Sequence, residues 1–154
     1  MTIQLIRVAE LDSTSITHLV EESLVQGFRM VARLVQEFDA GINRFDRPNE
    51  CLWVASSDER IVGIGGLNQD PYSNNLTIGR VRHLYVEAAW RRRGVGRLLV
   101  NQIITVALEH YQQLTLRTDT VVGDRFYQQL GFQRTTTLDH TTHYLNLSEL
   151  VNND

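Results

Sequence analysis

The sequence predicts one α/β domain of the α+β kind, with a mixed sheet and helices on both faces. Three observations predict it. Short apolar runs joined by polar turns read as hairpin-linked strands. A strand–helix–strand unit follows between positions 78 and 117, and such a crossover makes part of the sheet parallel. The chain of 154 residues is long enough for a single domain with its own core.

Taken in order, residues 3–8 read as a first strand. Asp12 or Ser13 caps a helix that places Ile16, Leu19, Val20 and Leu24 on one face. Gly27 interrupts it, and Phe28, Val31, Val35 and Phe38 mark a second helix ending near Gly41. Residues 43–49 are a polar loop containing Pro48. Residues 52–56 and 61–67 are strands, joined into a hairpin by Ser57-Asp58-Glu59-Arg60. Residues 68–75 carry Asp-Pro and Ser-Asn-Asn turn signals, and residues 78–86 form the next strand. Val95, Leu98, Leu99, Gln102, Ile103, Val106 and Ala107 make a helical stripe. Residues 114–117 are a strand. Residues 122–130 are a shorter helix stopped by Gly131. Residues 132–138 and 143–147 read as a closing hairpin. The predicted order is β-α-α-β-β-β-α-β-α-β-β.

Composition narrows the function. Hydrophobic residues make up 42% and charged residues 21%, as in an ordinary globular protein. No apolar run approaches the roughly 18 residues of a membrane span, and the first residues lack a signal-peptide layout. No membrane partner is therefore expected. The single cysteine, Cys51, excludes an internal disulfide and fits a cytoplasmic location. Cys51 opens an apolar run, so it reads as a buried strand thiol. A net charge of −3 predicts no general attraction to nucleic acid. All basic residues are arginines. Six of them lie between positions 80 and 97, where Glu87 is the only acid. A planar guanidinium suits phosphate oxygens.

The turn Arg91-Arg92-Arg93-Gly94-Val95-Gly96 sits between an apolar strand and a helix. The first amides of a helix have no internal partner and point outward at its positive end. Glycines admit a ligand's phosphates to those amides, so this turn predicts an anion site. It lacks the Gly-Lys-Ser/Thr ending of a triphosphate loop, and its spacing is wrong for a dinucleotide fingerprint.

The run from Leu84-Tyr85-Val86 through Arg91, Gly94 and Gly96 resembles the GCN5-related N-acetyltransferases, whose signature is Arg/Gln-x-x-Gly-x-Gly/Ala. Downstream, Phe126-Tyr127-Gln128-Gln129-Leu130-Gly131-Phe132 is similar to that family's second block, Tyr-x-x-x-Gly-Phe. The resemblance covers about residues 78–132. It implies a mostly antiparallel sheet with a central splayed strand pair. It implies acetyl-CoA as donor, with its pyrophosphate on the turn at Arg91, Arg92, Arg93, Gly94, Val95 and Gly96. The pantetheine arm would lie along Leu84, Tyr85 and Val86, and Thr120 would add a contact where relatives carry asparagine. The acceptor would be a small-molecule or peptide amine. A homodimer is an assembly seen among relatives, and no metal is implied.

The same resemblance casts Tyr127 as general acid to the departing thiolate. Many relatives carry a glutamate base in the strand before the turn. Here that strand, Ile78-Gly-Arg-Val-Arg-His-Leu-Tyr-Val, has no carboxylate. His83 is the residue in it with a suitable pKa, with Asp70, Glu87 or ordered water as weaker alternatives. Alternation pairs His83 with Tyr85, and sets Arg80 and Arg82 on the face of Leu84, where they could read an acidic acceptor. The missing carboxylate also admits a second reading, a non-catalytic acyl-CoA binding or sensing module.

Overall fold

The computed structural model describes residues 2–151. The amino-terminal strand β1 (Gln4–Arg7) precedes a short 3-10 turn capped by Asp12, whose side chain accepts from the Thr14 amide. Helices α1 (Thr17–Val25) and α2 (Met30–Asp39) follow. Strands β2 (Cys51–Ser57) and β3 (Arg60–Gln69) form the expected hairpin. Asp58 and Glu59 both take positive φ, 48° and 67°, the two-residue geometry that matches strand twist. Strand β4 (Ile78–Val86) leads through the arginine turn into α3 (Val95–Ala107). Then come β5 (Gln113–Leu116), α4 (Val121–Gln129), β6 (Gln133–Arg134), β7 (His143–Asn146) and α5 (Leu147–Val151).

The seven strands make one sheet in the order β1-β2-β3-β4-β5-β7-β6. Among the described strands only β4 and β5 pair in parallel, as the crossover through α3 requires. Leu52, Val54, Ile64 and Tyr85 pack against Ile16 and Leu19 and against α2 residues Val31 and Leu34. On the opposite face, Leu67, Val81 and Leu114 meet Val100 and Ile103 of α3 and Tyr127 of α4. Helices thus cover both faces. Cys51 is buried, and its thiol accepts from Trp53 Nε1 at 3.2 Å.

Three sequence expectations change. Leu24 and Leu98 are exposed, not core; Ser23 and Val100 are buried instead. A helical stripe read from residue types shifts by one when a neighbouring element covers only part of it. The closing hairpin is shorter than expected, because β6 has two residues. The chain after Asn146 turns into α5, which the sequence reading left unassigned.

Candidate active site

The turn before α3 has the form of an anion cradle. Arg92 (φ 62°) and Gly94 (φ 84°) are both left-handed, so the backbone curls and successive amides face one way. The first ladder bond of α3 runs from Leu98 N to Gly94 O. The amides of Val95, Gly96 and Arg97 precede that bond and have no helical acceptor. A Cβ on Gly94 would meet nothing within 4 Å, so glycine serves the backbone angle there.

Arg91 lies differently from the sequence expectation. Its Nε donates to Val86 O at 3.0 Å, its Nη2 donates to Gln26 Oε1 at 2.7 Å, and its guanidinium lies over the Tyr85 ring. It ties the turn to the strand end and to α1. Glu22 completes this tie, accepting from Tyr85 Oη at 2.5 Å and from the Ala88 amide at 2.8 Å. Burial pushes the Glu22 pKa up. The bonds from Tyr85 and Ala88, with the charges of Arg91 and His18, outweigh that push and hold it below its usual value. Glu22 and Gln26 are four apart on α1, a spacing visible in the sequence, but nothing local names their partners.

Strands β4 and β5 separate beside this turn. Their parallel register covers Ile78–Gln113, Gly79–Leu114 and Arg80–Thr115, and stops there, while β4 continues to Val86. This is the splayed pair, and it leaves the β5-facing edge of residues 84–86 without a strand partner. Tyr127 packs in the cluster that contains Val81, Leu114 and Leu116. Phe126, Phe132 and His143 surround its ring. Burial raises the phenol's pKa, so the hydroxyl keeps its proton. It makes no hydrogen bond among the described residues. His143 is fixed from both ring nitrogens, by Thr142 Oγ1 and Asp124 Oδ1, each at 2.7 Å. Thr120 caps α4, its hydroxyl oxygen accepting from Gly123 N at 3.0 Å.

A bulge in β4 decides which side chains share each face of the sheet. Gly66 pairs with Arg82 and Ile64 with Tyr85, so His83 and Leu84 together stand opposite Gly65. His83 takes up the extra residue with φ 58°. Val81 and Leu84 consequently share the α3 face. Arg80 and Arg82 lie on the opposite, α2 face, which corrects the alternation reading that placed them with Leu84. His83 stays on the side of Tyr85, its ring edge-on to Phe45 with centroids 6.4 Å apart. Burial, first, and the charges of Arg82 and Arg33 lower its pKa to about 3, against a hydrogen bond with the Met30 backbone. Its Nε2 is buried and has no hydrogen-bond partner among the described residues.

Asp70 and Glu87 are already engaged. Asp70 is buried and accepts from Thr115 Oγ1 and the Tyr72 amide, both at 2.9 Å. Glu87 pairs with Arg60 at 2.5 Å.

The acetyltransferase (GNAT) domain profile matches residues 48–134, more than half of the chain. The chain belongs to the GNAT acetyltransferase family. Human N-acetyltransferase 8 is 33% identical over 89 residues, covering 55% of this chain and 39% of that protein. The N-acetylaspartate synthetase of Xenopus tropicalis is 27% identical over 97 residues, 61% of this chain and 35% of the relative. The chain thus spans little more than a third of these curated relatives. Among solved structures, an Exiguobacterium sp. 255-15 protein assigned as an acetyltransferase superposes with TM-score 0.89 at 28% identity, covering 100% of this chain and 99% of that one. A GNAT family N-acetyltransferase of Escherichia coli, solved in complex with CoA, gives TM-score 0.72 at 19% identity, covering 96% and 82%, and shares the fold. No helix among the described residues of this GNAT protein is long and apolar enough to cross a membrane.

Proposed function

We propose that this protein transfers an acetyl group from acetyl-CoA directly to a primary amine of a small molecule or peptide. The observation that carries this reading is the parting of β4 from β5 after Arg80, with the free-ended α3 amides at the strand exit and Tyr127 in the cluster beside the gap. The residues suit the donor. Amides of Gly94, Val95 and Gly96, with Arg92 and Arg93, would hold a pyrophosphate, and Arg91 would brace the turn from behind. The unpaired edge at Leu84, Tyr85 and Val86 would bond the amides of a pantetheine arm, since backbone polar groups need partners. Thr120 would contribute from the cap of α4. Bound there, acetyl-CoA would supply an acyl group already activated as a thioester.

The chain's own residues then have three tasks. The amine must be neutral when its nitrogen forms the new C–N bond, so a proton must leave it. His83 is neutral under physiological conditions and offers an acceptor for that proton, although its low pKa makes it a weak base on its own. A backbone N–H near Val86 would stabilise the charge that develops on the carbonyl oxygen. As the C–S bond breaks, the Tyr127 hydroxyl, kept protonated by burial, would donate to sulfur. The relatives' names, N-acetyltransferase and N-acetylaspartate synthetase, support an amine acceptor. The lone, buried Cys51 supports a cytoplasmic setting.

One observation favours a second reading, a non-catalytic acyl-CoA binding module: β4 has no carboxylate and its histidine is weakly basic. Calorimetric titration with acetyl-CoA tests what the two share; no binding at high micromolar ligand would remove both. Thiol release in the presence of an amine panel separates them, because only transfer predicts it.

A further inference from the structure

We infer that Glu22 is a positioning residue for the acyl donor: from α1, its carboxylate fixes the spacing between the strand edge at residues 84–86 and the arginine turn. This rests on the donor site proposed above. There the pantetheine arm and the pyrophosphate would be held by two separate pieces of backbone, β4 and the turn before α3. One ligand spans both, so its affinity depends on their spacing. The connector is residues 87–90, which include the 3-10 turn Ala88–Trp90. Trp90 N and Arg91 N donate back to Glu87 O and Ala88 O, at 2.8 and 3.3 Å. These local bonds set the curl of the connector, not its distance from Tyr85. Its ends are held by the Glu87–Arg60 pair and by the packing of Trp90. Ala88 and Ala89, between them, are exposed and have no side chain that could anchor the backbone.

Helix α1 supplies that anchor. His18, Glu22 and Gln26 follow at steps of four and form one row along the helix. His18 Nε2 bonds Ile61 O at 2.7 Å and fixes the start of the row. Glu22 uses a single oxygen, Oε1, for two bonds. It accepts from Tyr85 Oη on the strand at 2.5 Å and from Ala88 N on the connector at 2.8 Å. Gln26 repeats the pattern one turn on. Its Oε1 lies 3.3 Å from Tyr85 Oη and accepts from Arg91 Nη2 at 2.7 Å. Each of the two side chains therefore brackets strand and turn. Two facts separate this from a role in folding. Leu19 is fully buried and docks α1 in the core without Glu22. An acid is also a poor choice of tie here on charge alone. Glu22 feels the charge of Arg91, so it would oppose a phosphate on that turn. Its contribution to geometry offsets that repulsion.

The test compares Glu22→Gln with Glu22→Leu in the full chain, by calorimetric titration with acetyl-CoA, ADP and acetylpantetheine. ADP reaches the turn alone, and acetylpantetheine reaches the strand edge alone. Glutamine keeps an oxygen for both bonds and removes the charge. Leucine removes both. Glu22→Leu should bind acetyl-CoA about tenfold or more weakly, as the loss of two bonds to a charged acceptor would require. The same variant should bind ADP as tightly as the native protein or more tightly, because a repelling charge has gone, and acetylpantetheine equally well. Glu22→Gln should bind acetyl-CoA as tightly as the native protein or more tightly. Gln26→Leu, at an exposed position, should show the pattern of Glu22→Leu more weakly, and carries the test if Glu22→Leu does not fold. A loss shared by all three ligands overturns the inference, since that is what damage to the fold would give. So does full acetyl-CoA affinity in Glu22→Leu, or a Glu22→Gln defect as large as that of Glu22→Leu. If acetyl-CoA does not bind the native protein, the proposed function itself fails.

Discussion

The two sides of the β4–β5 gap are built from different materials. The proposed donor side, at the turn and α3, uses backbone: left-handed Arg92 and Gly94, the leading helix amides, and an unpaired strand edge. The opposite side, towards α2, uses side chains: Phe45 from a loop, and Arg82 and His83 as the β4 bulge sets them. Backbone devices need glycines at fixed spacing and leave a motif. Side-chain devices need only that distant elements meet, and leave none. In the proposed function, the first side would hold what the family binds in common, and the second would set this protein apart.

Breaking the reaction without disturbing either side should have the largest effect. Tyr127→Phe removes the hydroxyl and keeps the buried ring, so turnover should fall by roughly 10²–10⁴-fold. Calorimetry should show acetyl-CoA affinity unchanged. An equal loss of affinity would make Tyr127 a packing residue.

Two alanine substitutions should then separate the sides. Gly66→Ala drives a methyl into the Phe45 ring, and overpacking of this kind costs about 1–3 kcal/mol. It should impair use of the acceptor more than binding of acetyl-CoA. Gly94→Ala has open space but a left-handed backbone, which costs about 1–2 kcal/mol. Its damage should fall on acetyl-CoA affinity. Urea unfolding gives the stabilities and titration gives the affinities. The same functional defect from both would erase the distinction.

A pH dependence belongs to the His83 side alone. His83 has a folded pKa of about 3, against 6.5 for a free histidine. Between those values the unfolded chain binds the extra proton, so His83 lowers stability as pH falls through that window. Asparagine tolerates the left-handed backbone and does not titrate there. His83→Asn should therefore flatten the fall in urea midpoint between pH 6.5 and 3. An unchanged slope would mean that His83 titrates normally.

This division also explains what could be read beforehand. The limits of β4 and α3 were legible to the residue, because an apolar run ending in an Arg/Gly turn punctuates both. The donor turn was legible through Gly94 and Gly96. The bulge was not: His83 is an unremarked residue in an apolar strand, and the register shift depends on β3. Without it, Arg80 and Arg82 fell on the wrong face. Nor could the sequence separate Arg80, held by Thr141, His140 and Tyr72, from Arg82, which has no hydrogen bond or ion pair among the described residues. Glu22 was missed because its partners, Tyr85 and Ala88, lie more than sixty positions away.

The central claim is that the gap between β4 and β5 receives the coenzyme. A crystal structure of the full chain with CoA tests it most directly. Pyrophosphate oxygens should lie within hydrogen-bond distance of the Val95 and Gly96 amides, with the pantetheine arm along residues 84–86 and its sulfur facing Tyr127. CoA bound elsewhere, with β4 and β5 paired through to Val86, would contradict it.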